Sequence, residues 1–510
     1  MDTQIFPYAP VRLPQLFERM RTRVVDLECL VDDLQRRNGE LQRRNDELQR
    51  CNAELEQRVK ELEANRSKNS HNSSKPSSTD GFKKTQRTKS QRKSTGRKPG
   101  GQKGHQGSTL RLSDTPDQQE VHIPNGCCDQ CGKHLDGLPV SVLPERRQVF
   151  DLPVIKFSTT EHRVGEVLCS CGAVHRGEFP ESVNQPTQYG PNTYSVANYL
   201  GYYQFIPYDR MRLFFLDVAG QAVSAGTLSK MCQQGAHLAA PVVDQIKEAV
   251  IASPVANFDE TGLRVNVRLR WLHSASTATL TWYGVHDKRG NEAMDAQGIL
   301  PVFKGKAIHD NWAPYWKYLC DHGLCNAHHL RELEFIAETT GQEWPRTMQE
   351  LLREMKQATD LAKETGWKEL PAALIDSFVR DYDQVIEEGL EHNPEQSRTT
   401  GKRGRTKQTP AYNLLSRLRL RKENALLFLR DLSVPFDNNT GEQTMRMPKV
   451  KIKIAGCFRT EEGASNFGIV RGYIDTLRKQ GVQIYSAIRG LFTGNLVVPS
   501  FAKQDHSPVS

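Results

Sequence analysis

The stretch ANFDETGLRV, residues 256–265, decides how the chain is read. An apolar run from Pro254 to Phe258 meets two adjacent acids, Asp259 and Glu260. Adjacent side chains on a strand point to opposite faces, so at most one of the two can aim into a given site. Taken alone, the stretch fits a strand ending in a solvated turn as well as it fits a carboxylate that holds a metal ion. The residues around it separate the two readings.

Downstream, residues 268–274 and 279–285 alternate as strands do. A helix is expected near 291–299, a short apolar approach ends at His309-Asp310, and another helix follows near 327–337. Asp259 thus closes the first strand of this series and Asp310 the fourth. His309 could orient Asp310 or DNA, or be purely structural. Cys325 and His328 have the CxxH spacing of zinc ligands and are read mainly as packing. Residues 338–430 are charged and helical, interrupted by the basic loop RTTGKRGRTK. PFDNNTGEQTMR, residues 435–446, then carries Glu442 on a short helix that Pro448 should end. Beyond it Lys449, Lys451 and Lys453 alternate with Val450, Ile452 and Ile454, a strand period that places three positive charges on one face. Glu461 and Glu462 fall in RTEEGAS, read as a turn, and Asp437 in loop-like sequence.

Two acids at strand ends, a third on a late helix and basic segments around them suggest two-metal phosphoryl transfer. Divalent ions held by carboxylates about 3.5–4 Å apart clamp the attacking and leaving oxygens of an in-line displacement. Mg2+ or Mn2+, two per site, suits hard oxygen ligands.

Upstream, residues 188–253 read as helices, with the turn GQAVS leading into a third one, an arrangement that suits a helix-turn-helix and also ordinary packing. Residues 111–187 contain Cys128-x-x-Cys131 and Cys169-x-Cys171, each followed by Gly and joined by strand-like sequence at 147–157. Two such knuckles suit one structural Zn2+, and Cys127 could replace Cys128. Residues 65–110 are a Ser/Asn/Pro-rich linker and a basic arm. Lys83, Lys84, Arg87, Lys89, Arg92, Lys93, Arg97 and Lys98, with Lys103, carry nine positive charges without an acid, as many as the net charge of +9. Such a block favours nucleic-acid phosphates. In residues 13–64, Leu13, Met20, Leu27, Leu34, Leu41, Leu48, Leu55 and Leu62 recur every seven residues. Phe17, Val24, Val31, Asn38, Asn45, Asn52 and Val59 occupy the companion positions, a pattern that predicts a two-stranded parallel coiled coil.

The 510 residues imply several domains. No apolar run reaches the roughly 18 residues of a membrane span, and no signal peptide is evident at the start. A cytoplasmic location is expected, and the 11 cysteines are read as thiols or ligands.

Taken together, the motifs resemble the transposases of the insertion sequence 66 type, which are DDE transposases with a ribonuclease-H-like core. The resemblance rests on NSSKPSS (72–78), GGQKGHQG (100–107), the cysteine pairs, QYGPN (188–192), SAGTLS (224–229), DETGLRV (259–265), HDNW (309–312), CNAHHLREL (325–333), PFDNN (435–439) and TLRKQG (476–481). The resemblance covers about residues 69–496, and with the coiled coil read from the heptads the chain is multidomain: coiled coil, zinc-binding β domain, helix-turn-helix segment, and an α/β ribonuclease-H-like core. The core would be split between 254–337 and 431–496 by the helical insertion at 338–430, with 497–510 as a tail. The catalytic and metal-holding triad would be Asp259, Asp310 and Glu442. Gly441 and Gln443 depart from the Ala and Arg usual beside that glutamate. The implied activity is metal-dependent DNA cleavage at the element's ends and 3′-hydroxyl strand transfer into target DNA, by a homodimer or higher assembly, with accessory proteins of the same element as further partners. The alternatives are a decayed DNA-binding protein of the same fold and a nuclease that cuts without joining.

Overall fold

The computed structural model describes residues 13–67, 110–123, 125–142, 144–397 and 406–501. The nine arm residues from Lys83 to Lys103 named above lie outside them. The elements in chain order are α1 (Leu13–Ser67), β1 (Glu166–Leu168), β2 (Val174–Arg176), α2 (Pro191–Asn198), α3 (Tyr208–Ala219), α4 (Ala225–Ile251), β3 (Val255–Val265), β4 (Arg268–Ser276), β5 (Thr281–His286), α5 (Asn291–Gln297), β6 (Lys306–His309), β7 (Asp321–Leu324), α6 (Asn326–Thr340), α7 (Trp344–Glu364), α8 (Ala372–His392), α9 (Pro410–Leu420), α10 (Lys422–Ala425), α11 (Leu427–Arg430), α12 (Asn439–Ala455), α13 (Glu461–Lys479) and α14 (Ile484–Thr493). They fall into two units, one comprising 86–325, 362–369 and 423–510, the other 1–85, 326–361 and 370–422.

The first unit holds a mixed sheet in the order β5-β4-β3-β6-β7. β3, β4 and β5 are antiparallel neighbours, and β6 and β7 run parallel to β3. β3 does not close at Asp259. It continues to Val265, because residues 257–265 pair without interruption with β4. What stops beside Asp259 is the parallel pairing with β6, whose last pair is Asn257 with Ile308. β7 escapes the sequence reading, since four residues are too few to show a period.

Cross-strand pairing fixes the two faces of the sheet. Asp259 pairs with Ser274, which pairs with Tyr283, so these three share one face. Glu260, His273 and Gly284 share the other. α12 and α13 cover the Asp259 face, where the single proton of the Tyr283 hydroxyl is shared between the Thr444 carbonyl (2.8 Å) and Asp475 Oδ2 (2.8 Å).

That first bond explains why the helix does not end at Pro448. A proline inside a helix leaves the carbonyl four residues earlier without its amide donor. Here that carbonyl belongs to Thr444, and the Tyr283 hydroxyl supplies the missing donor. α12 therefore runs through buried Pro448 to Ala455, and residues 449–454 are helical, not a strand. Glu461 and Glu462 likewise open a helix and do not sit in a turn, because Thr460 Oγ1 accepts from the Gly463 amide (3.0 Å) as an N-cap.

α13 seals the edge of the sheet at β5. Thr476 Oγ1 accepts from the Thr281 amide (2.9 Å) and donates to its carbonyl (3.2 Å). Lys479 Nζ donates to the carbonyls of Thr277 (2.7 Å) and Leu280 (2.8 Å) in the β4–β5 turn. An open edge invites pairing with another chain, and these side chains of the TLRKQG motif occupy it.

α3 and α4 form the expected helix pair. Gly220 ends α3 in the left-handed region (φ 75°), and Ser224 caps α4 through the Thr227 amide (3.1 Å). α2 crosses α4 at Gly235, where a Cβ would lie 2.0 Å from Asn198 Oδ1, so only glycine fits. The cysteine-bearing region is sparser than a β domain. Among its described residues the only ladder is β1 with β2, and residues 147–157 are not a strand, leaving Val149, Leu152 and Val154 exposed.

In the second unit α6–α9 pack around Trp344, Met348, Leu352, Tyr382 and Leu415, all nearly inaccessible to solvent. α1 is a single 55-residue helix, on the order of 80 Å long. Its heptad residues Met20, Leu27, Leu34, Leu41, Leu48 and Leu55 are all more than half exposed. No helix among the described residues is long and apolar enough to cross a membrane.

Candidate active site

The β3–β6 register, carried past its last pair, sets Asp310 alongside Asp259. The Trp312 amide donates to Asp310 Oδ1 (3.1 Å) and orients that carboxylate. Glu442 arrives on the first turn of α12. Asn438, just before the helix, fixes where that turn lies. Its amide donates to Cys325 Sγ (3.1 Å), its Nδ2 donates to the Phe258 carbonyl (2.9 Å), and its Oδ1 accepts from Asn257 Nδ2 (2.8 Å). The start of α12 is thereby fastened to the two residues that precede Asp259. A Cβ on Gly441 would lie 2.7 Å from Asn438 Oδ1, so the Gly441 departure goes with this arrangement of Asn438.

Asn438→Ala is expected to strip partners from the buried Phe258 carbonyl and Asn257 amide. Each buried group left unpaired costs about 1–3 kcal/mol. A urea midpoint unchanged from wild type would show that Asn438 fastens nothing.

The electrostatics match the geometry. Burial pushes the Asp259 carboxyl up to about 8, and the charges of Glu260, Asp310 and Glu442 add to the rise. The Glu260 amide, donating to Asp259 Oδ1 (2.8 Å), works the other way. Carboxylates brought together in this way hold a proton or a cation. An all-oxygen donor set of this kind suits a hard divalent ion. Cys325, read as packing, is buried, and its Sγ lies within 4.8 Å of a Glu442 carboxylate oxygen.

Glu260 turns to the opposite face. Its side chain is 2% exposed, accepts from Arg289 Nη2 (2.8 Å) and Nε (3.0 Å) at Oε1, and accepts from the Tyr315 hydroxyl (2.7 Å) at Oε2. His309 is fully buried beside Asp310. The Asn311 amide donates to His309 Nδ1 (3.1 Å), so His309 Nε2 carries a proton and donates to His322 Nδ1 (3.0 Å). His322 Nε2 then donates to the Tyr318 carbonyl (3.1 Å). These bonds tie His309 to the backbone just after Asp310 and to His322 on β7. Asn311, at φ 70°, turns the chain away just after Asp310.

The basic run is redistributed by the helix. Lys449 and Lys453 share a face with Glu442 and Arg446, three and four residues apart. Lys451 instead lies over the Phe458 ring (3.4 Å to its centroid), and burial lowers its ammonium to about 8. The cysteines form two separate knuckles: the Gly132 amide donates to the Cys128 carbonyl (2.8 Å), and the Gly172 amide to the Cys169 carbonyl (2.8 Å). Hydrogen bonds from the backbone of Gln130 and Cys131 lower the Cys128 thiol, and from Cys171 the Cys169 thiol. Among the described residues, Cys128, Cys131, Cys169 and Cys171 do not place three sulfurs within 4.8 Å of one another.

Asn257, Asn438, Arg289 and Tyr315 were not singled out from the sequence. PFDNN was the available signal for Asn438, but nothing in it separates a residue that fastens a helix from one in a loop.

A family model described as Transposase IS66 family matches residues 186–466. A second model, of a family of unknown function, matches residues 27–111. No curated protein matches the chain.

Proposed function

We propose a function from the premise that the chain belongs to the IS66 family of transposases: it cuts DNA at the ends of its element and joins the freed 3′-hydroxyl to target DNA. The observation that carries this reading is that Asp310 and Glu442, from two separate stretches, lie near enough to Asp259 for their charges to add to the rise that burial imposes on it, although among the described residues the three acids do not bring their oxygens within 4.8 Å of one another. The strand order β5-β4-β3-β6-β7, three antiparallel strands followed by two parallel ones, supports a ribonuclease-H-like core.

Asp259, Asp310 and Glu442 would hold two Mg2+ or Mn2+ ions. When bound, such ions stabilise the attacking and leaving oxygens of an in-line displacement. The chain's own contribution is positional. Asn438 holds Glu442 against β3, and the Trp312 amide and the His309–His322 pair hold the Asp310 turn. Lys449 and Lys453, with Arg446, lie along the helix from Glu442 and are suited to phosphates of the bound strand, and Lys451 would contribute only from the margin. The basic arm would add contacts that do not depend on sequence. Cys128, Cys131, Cys169 and Cys171 would hold one structural Zn2+, which requires the two knuckles to close on each other.

A second copy of α1 would cover its exposed heptad stripe, which supports a dimer. Deleting residues 1–66 is expected to lower the oligomeric mass seen by light scattering, and an unchanged mass would contradict the coil. The function is tested with a donor plasmid carrying the DNA that flanks the gene, incubated with Mg2+ and a target plasmid. Joined products are expected. Cut but unjoined ends would favour the nuclease reading, and no reaction the decayed one.

A further inference from the structure

Glu260 and Arg289 are left over by the chemistry above, yet they adjoin it directly. Arg289 sits in the loop between β5 and α5. Its guanidinium lies 4.0 Å from the centroid of the Trp312 ring and 5.0 Å from that of Trp271. Trp312 is the residue whose amide orients Asp310. Glu260 follows Asp259 and is itself held by the Tyr315 hydroxyl. The Arg289 side chain is 37% exposed, against 2% for Glu260. Among the described residues no group accepts from Arg289 Nη1.

We propose that Arg289 is a positioning residue that takes a DNA phosphate at the rim of the acid cluster, and that Glu260, Tyr315, Trp271 and Trp312 form its mount. The inference rests on the transposase reading. A strand brought to the acid cluster must be held in register, and a fixed cation beside the cluster that takes a backbone phosphate does this. Arginine suits this role because its planar fork stacks on aromatic rings and leaves further donors for a second anion. Glu260 uses Nε and Nη2, and the remaining edge keeps the geometry that phosphate recognition needs. Stacking on the rings removes most of the side chain's freedom before DNA arrives, which lowers the entropic cost of the contact. The Arg289 side chain stays more than a third exposed although its carboxylate partner is buried, which leaves it open to a second anion.

The test uses the full-length protein and a duplex of the terminal DNA flanking the gene, with affinity followed by anisotropy across a salt series. Arg289→Gln is expected to make the slope of log affinity against log salt shallower by about 0.9, the value for one phosphate contact. Arg289→Lys should keep the slope, because the charge remains, and lose affinity several-fold, because the fork and the flat stack are gone. An unchanged slope in a folded Arg289→Gln overturns the inference and leaves the transposase reading standing. Should that variant fail to fold, unchanged affinity in Arg289→Lys overturns it equally. A wild-type protein that binds neither this duplex nor any other DNA overturns both readings together.

Discussion

Asp259→Asn, Asp310→Asn and Glu442→Gln are each expected to abolish cleavage and strand transfer while leaving binding to the element's ends largely intact. The neutral isosteres keep the shape of each side chain and remove the charge that holds a divalent ion. A loss of roughly 10³-fold corresponds to about 4 kcal/mol of barrier. The double variant Glu461→Gln/Glu462→Gln should stay active. Glu461 is more than half exposed and pairs with Arg270 (2.6 Å) at the start of α13, so its charge is already committed elsewhere. Activity kept by Glu442→Gln but lost by the double variant would place the third ligand on α13. Activity kept by Asp259→Asn would remove the enzyme reading altogether.

The largest stability effect is expected at Asp475. Its carboxylate accepts from Arg471 Nη2 (2.6 Å), from Arg471 Nε (2.9 Å) and from the Tyr283 hydroxyl (2.8 Å). The two charged side chains are 1% and 5% exposed. Asp475→Ala leaves the Arg471 charge buried without its partner, at a cost of about 3–5 kcal/mol. Replacing both, as Arg471→Met/Asp475→Leu, removes the stranded charge and should cost less than the single change. Chemical denaturation of the three proteins checks the order. A single variant as stable as wild type would mean that water reaches Arg471.

β4 and β5 were legible in the sequence because their residues alternate, whereas the paired acids at 259–260 read as the end of a strand that in fact runs on to Val265. Asp259, Asp310 and Glu442 were named from the motifs around them, and the structure puts the charges of Asp310 and Glu442 near Asp259. The extent of α12 was not, since Pro448 reads as a stop unless one knows that Tyr283 reaches the Thr444 carbonyl from another strand. The α13 start was missed for a similar reason: Thr460 is an N-cap only once the chain turns into a helix behind it. Strand alternation separates Asp259 from Glu260 correctly, but it cannot say which faces α12. That follows from the pairing of Asp259 with Ser274 and of Ser274 with Tyr283, which is set far along the chain. The partner of Glu260 was hidden because Arg289 reaches it from a loop with no period to read.

If Asp259, Asp310 and Glu442 form one divalent-metal site, they bind Mn2+ in the presence of DNA. Crystals grown with Mn2+ and terminal DNA, measured for anomalous scattering at the manganese edge, test it most directly. Anomalous density is expected against the Asp259, Asp310 and Glu442 carboxylates. Density confined to another group of candidate ligands, such as His286, Asp287 and Glu292, or none against these three acids at saturating Mn2+, would contradict the account.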